Sequence, residues 1–177
     1  MDRSWKRIMT LLAEQDPDRA RVLRPPAPAA RLLRLEAVVG RAFPADLLVW
    51  WSTMDGVDDH RDFGGNRDGG LIPESYLPLG VARAEEEYLR QSRFADPDCC
   101  TPEMTHRKQA GDTGFPFCTA LVPFCRAVDG CLLCVDLRQG ESRGLVMEWA
   151  PSEGFFPYHW AGLPELLAES IDRLENP

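Results

Sequence analysis

Residues 119–149 read TALVPFCRAVDGCLLCVDLRQGESRGLVMEW, and this stretch decides the fold. Thr119 to Phe124 is an apolar run, and Val128-Asp129-Gly130 carries the Asp-Gly signal of a tight turn. Cys131 to Leu137 is apolar apart from Asp136, so it reads as a strand covered on both faces. Gln139-Gly140 turns the chain again. Between Gly144 and Trp149, Leu145, Met147 and Trp149 alternate with Val146 and Glu148, as in a strand with two unlike faces. The expectation is an antiparallel meander of three strands within 119–149.

Downstream, Leu163, Leu166, Leu167, Ile171 and Leu174 recur at helical spacing and predict a closing helix over 162–175. Upstream, residues 4–55 carry helical signals. Trp5, Ile8, Met9 and Leu12 share one face of a first helix, which Asp16-Pro17 is expected to stop. Pro25-Pro26-Ala27-Pro28 leads into a second helix that buries Leu32, Leu35 and Val39, with Gly40 as its stop. Pro44 opens a third, on which Leu47, Trp50, Trp51 and Met54 face one way, and it ends at Asp55-Gly56. Leu71-Ile72-Pro73 is a candidate strand start. Residues 80–93 hold strong helix formers around Val81 and Tyr88 and predict a more exposed helix. Residues 57–70 and 95–116 read as loops, the former Gly-rich and acidic. Helices, then strands, then a helix indicate an α+β domain spanning 1–177.

Composition bounds the function. The chain has 177 residues, 20 Lys+Arg against 28 Asp+Glu, and a formal net charge of -8. This negative field disfavours nucleic acid as a direct partner, because phosphate binding draws on clustered Lys and Arg. It favours a basic protein partner. No apolar run approaches the length of a membrane span or the core of a secretory signal, and a cytoplasmic location is the expectation, without membrane attachment.

The places where chemistry could sit are few. Cys131-Leu-Leu-Cys134 has the spacing of a zinc knuckle, but on a strand i and i+3 point to opposite faces, and two buried core thiols are expected. Cys99-Cys100 lies in a polar loop with His106 as the nearest partner and no third or fourth ligand, so an incidental exposed pair is expected rather than a metal site. His60, His106 and His159 stand in no catalytic array, and no cofactor or catalytic residue is assigned. The Gly64 to Gly70 stretch lacks the Lys-Ser/Thr of a phosphate cradle and the spacing of a calcium loop. Asp136, on the strand face shared with Leu132 and Cys134, must find donors if buried. It either ties a turn or pairs an Arg, or it floors a binding cleft.

Taken in order, Leu23-Arg-Pro-Pro-Ala27, Leu35-Glu36 to Gly40, Phe43-Pro-Ala-Asp-Leu47, Trp50-Trp51 to Asp55-Gly56, Leu71-Ile-Pro73, Asp129-Gly to Asp136-Leu, and Gly144-Leu-Val-Met-Glu-Trp149 resemble the SUKH superfamily, in its branch of cell-wall-assembly and cell-proliferation-coordinating regulators. The likeness runs from Trp5 to about Leu174. It implies an α+β domain with a curved, mostly antiparallel sheet, and binding rather than catalysis. Bacterial members resemble immunity proteins that occlude polymorphic toxins, and fungal relatives look like intracellular regulatory scaffolds. On the immunity-type reading, Asp58, Asp59, Asp62 and Asp68 supply charge toward a basic toxin domain and Phe63 supplies an apolar anchor. Asp136 belongs to the cleft beside the sheet.

Overall fold

The computed structural model describes residues 1–57, 72, 76–96, 98–100 and 108–176. Helices α1 (Asp2–Gln15), α2 (Pro17–Val22), α3 (Ala29–Val39) and α4 (Ala45–Thr53) come first. Strand β1 (Leu77–Pro78) and helix α5 (Val81–Ser92) follow. Then come β2 (Leu121–Arg126), β3 (Leu132–Asp136), β4 (Val146–Ala150), β5 (Gly154–Pro157) and the closing helix α6 (Leu163–Glu175). The five strands lie side by side in sequence order, every pair antiparallel, in an open sheet. The fold is α+β, as the order of helix and strand signals implies.

Two strands join the expected three. β1 is only two residues long and pairs Leu77 with Arg126 and Pro78 with Cys125. β5 opens on Gly154, closes on Pro157 and lies along β4. Neither is long enough to show a period. Leu71-Ile72-Pro73 does not open a described strand: Ile72 sits in a bend, fully buried, while Leu71 and Pro73 lie outside the described residues. A further correction is α2. Pro17 ends α1 but also starts the next helix, because a residue without an N–H suits the first turn, where that donor has no intrahelical acceptor. Gly40 closes α3 as expected, with φ 70° and its N–H on the Glu36 carbonyl.

β3 is buried at every position, matching its continuous apolar run. β2 carries Pro123 in mid-sheet, and the register slips there: Pro123 faces Cys134 while Cys125 faces Leu133. The extra residue, Phe124, turns its carbonyl to the Leu79 N–H at 2.8 Å, so the bulge binds the β1–α5 connection. Aromatic edge-to-face contacts then run from helix to sheet, Trp5 on Trp50 at 4.8 Å and Trp50 on Phe124 at 5.1 Å. On α5, Val81, Ala84, Glu87, Tyr88 and Gln91 are buried, a fuller stripe than its charged sequence suggests.

The sheet has short or covered margins. Beyond β5, Gly114 and Phe155 exchange both backbone hydrogen bonds, at 2.9 and 2.7 Å. At the base of α5 two backbones touch: Gly56, with φ 77°, leaves room for no Cβ, since one would lie 2.2 Å from the Gly80 nitrogen. Gly130 also has positive φ, 95°, but nothing within 4 Å of an added Cβ. Gly130→Ala should therefore cost about 1–2 kcal/mol in backbone strain alone. Gly56→Ala should cost roughly 3 kcal/mol or more, because overpacking is added to the same strain. Urea unfolding of the two variants checks the ordering.

Candidate functional site

The described residues that precede the acidic segment form a fixed stem. Residues 23–27 run antiparallel beside the end of α4: Leu23 bridges Val57, the Arg24 N–H donates to Gly56 O at 2.9 Å, and the Asp55 N–H donates to Pro25 O at 3.1 Å. Asp55 is buried and holds this stem to α5. Its Oδ1 accepts the Val81 N–H at 2.7 Å, at the positive end of the helix, and its Oδ2 faces Arg31 at 3.5 Å and Arg24 at 3.8 Å. On the far side, Ile72 is sealed in the core. Asp58, Asp59, Asp62, Phe63 and Asp68 lie outside the described residues, as do His60 and His106.

Asp136 is described, and it is wholly excluded from solvent. Oδ1 accepts the backbone N–H of Arg138 at 2.9 Å and its Nε–H at 3.0 Å. Oδ2 accepts the Arg138 Nη2–H at 2.6 Å and the Gly111 N–H at 2.9 Å. Arg138 is equally buried, donates from Nη2 to the Asp112 carbonyl at 2.8 Å, and lies over the Phe155 ring at 4.9 Å. Burial works against the charged guanidinium, but the hydrogen bond and charge of Asp136 outweigh it and leave the Arg138 pKa raised. Of the readings open for Asp136, tying a turn and pairing an Arg both hold in the structure. Its oxygens face inward, to Arg138 and Gly111, rather than onto an open cleft. The sequence signal for the partner was the opposite charge two residues on, just past the end of β3, where the Asp136 carboxylate turns back on the Arg138 N–H.

A cleft does open beside the sheet, about 330 Å³ in volume, lined by Pro44, Asp46, Val135, Arg143, Gly144 and Glu165 among others. Arg143 donates to the Ala42 carbonyl at 2.8 Å, and Glu165 accepts the Ala161 N–H at 2.6 Å. The cleft lies at the N-terminal end of α4, whereas the stem residues Asp55, Gly56 and Val57 follow its C-terminal end, and nine helical residues set the two ends about 13 Å apart.

The cysteines and the described histidine depart from expectation. Cys134 is fully buried, but Cys131 precedes β3 and is only partly covered. Cys99 and Cys100 are half-buried rather than exposed, and a third sulfur meets them, that of Cys118. The Cys100 thiol is held far below the ordinary thiol range, by hydrogen bonds from Cys118 and Cys99 first and then by the charges of Arg41 and Arg138. His159 Nε2 lies 3.4 Å from Glu169, a carboxylate shared with Trp160 and Arg173 on a half-exposed surface. No protein-family profile and no curated protein matches the chain.

The buried pair makes a prediction. Arg138→Met should destabilise the fold by about 3–5 kcal/mol, because the Asp136 carboxylate is left buried without its cation. Asp136→Asn/Arg138→Met should be less destabilised than Arg138→Met alone, since the unpaired charge is gone. Denaturant unfolding of the single and double variants measures the difference.

Proposed function

We propose that this chain is a non-enzymatic protein-binding domain of the immunity type, which neutralises a basic toxin domain by covering it. The observation that carries the reading is the anchoring of the acidic segment. Four Asp, against Arg61 and Arg67, are strung between Val57, paired into the fold, and Ile72, buried in it. The sequence of this segment is polar and charged, and the described residues on both sides of it are held by the fold, which suits the presentation of charge to a partner. The overall charge of -8 adds a long-range attraction for a cationic surface. The α+β architecture with an open antiparallel sheet agrees with the SUKH resemblance and gives it a scaffold of the expected kind. Among the described residues no helix is long and apolar enough to cross a membrane, and a protein surface is the occupant this reading assigns.

The experiment is co-expression rescue and pull-down with toxin domains encoded beside the gene. A cognate basic domain should be captured and its toxicity suppressed. Its affinity should fall about tenfold or more as salt shortens the screening length from about 10 Å at 0.1 M to about 3 Å at 1 M. Asp58→Asn/Asp59→Asn/Asp62→Asn should slow association and flatten that salt dependence, with unfolding stability unchanged. Capture that ignores both salt and the three substitutions would sink the reading.

A further inference from the structure

Three thiols that the sequence separates converge beside the sheet. Cys99 and Cys100 occupy a turn whose backbone is tied by the Lys108 N–H on the Cys99 carbonyl at 2.8 Å. Cys118 precedes β2, where the Leu121 N–H closes a turn on its carbonyl at 3.0 Å. Cys99 Sγ lies 2.9 Å from Cys118 Sγ, Cys118 Sγ lies 3.6 Å from Cys100 Sγ, and all three sulfurs fall within 4.8 Å of one another. Thiolates bound at about 2.3 Å to a common tetrahedral ion stand about 3.8 Å apart. The two closest separations, 2.9 and 3.6 Å, fall somewhat short of that value and none exceeds 4.8 Å, so small side-chain rotations would open the three sulfurs around one ion. Among the described residues this is the one group of three His, Cys, Asp or Glu side chains so placed.

The surroundings suit bound sulfur. Arg41 Nη2 donates to Cys100 Sγ at 3.5 Å, and the Ala120 backbone N–H donates to the Cys118 sulfur from two residues on. Such outer donors fix the direction of a ligand's lone pairs and spread its charge. The charge count also closes: three thiolates with a divalent ion carry one net negative charge, and Arg41 offsets it. An all-sulfur donor set selects thiophilic ions over magnesium or calcium, which take oxygen.

We propose that Cys99, Cys100 and Cys118 form a binding site for a thiophilic metal ion, Zn²⁺, held by three protein sulfurs with the fourth tetrahedral position left to a further ligand. The site stands apart from the partner-binding reading and does not depend on it. Binding cross-links the 98–100 turn to the approach to β2, so the ion should stabilise the fold by favouring the native state.

The test uses the full chain, reduced and stripped of metal, with Co²⁺ as the spectroscopic probe. One equivalent of Co²⁺ should produce a sulfur-to-cobalt charge-transfer band in the near ultraviolet, and Zn²⁺ should displace it. Zn²⁺ should also raise Tm and protect these three cysteines from iodoacetamide, as mapped by peptide mass spectrometry. Cys99→Ser and Cys100→Ser, both in a half-buried turn and checked for folding by circular dichroism, should each weaken binding at least tenfold. Cys131→Ser should leave it unchanged. Arg41→Ala should weaken it by about 10- to 100-fold. The proposal is overturned by absence of the band, by a band that persists at full affinity in Cys99→Ser or Cys100→Ser, or by a Cys99–Cys118 disulfide whose reduction restores no metal uptake.

Discussion

The ion pair between Asp136 and Arg138 is the constraint around which the sheet is organised. Removing a carboxylate and a guanidinium from water costs several kcal/mol each, so the pair persists only where geometry and extra hydrogen bonds compensate. Here the compensation comes from chain segments far apart in sequence: Gly111 and Asp112 supply a donor and an acceptor, and Phe155 lies against the guanidinium. The backbone of Asp136 meanwhile joins the turn after it, its N–H donating to Leu145 O and its carbonyl accepting from Gly144. The buried pair thus ties the end of β3 to the 108–118 segment and β5, while the Asp136 backbone holds the turn into β4.

A second buried carboxylate plays the corresponding part on the helical side. Asp55 closes the first turn of α5 through the Val81 N–H while drawing in Arg24 and Arg31. The touching backbones of Gly56 and Gly80 leave this junction little room to shift. Val57, the last described residue before 58–71, therefore follows directly on one of the tightest places in the molecule.

Much of the architecture could be read in the residues because period and burial agree. The apolar spacing of Trp5, Ile8 and Leu12, or of Leu163, Leu166 and Leu167, has one structural solution, and those residues are buried as that solution demands. The run from Cys131 to Leu137 announced a doubly covered strand for the same reason. β1 and β5 escaped because two or four residues carry no period, and α2 escaped because Pro17 signals a beginning as well as an end. At the candidate sites the limit was distance along the chain. Asp136 advertised a need for donors, but nothing local announced Gly111. Cys99-Cys100 has no third thiol nearby in sequence, and Cys118 reaches the pair only through the fold.

The margins of the sheet bear on how this protein can associate at all. A free strand edge invites another chain to extend the ladder, whether as a bound peptide or as an aggregate. β1 offers two residues, and β5 is matched by Gly114 on its outer side and ended by Pro157. Among the described strands both templates are blunted, which disfavours extension of this sheet by another chain and, with it, growth into fibrils.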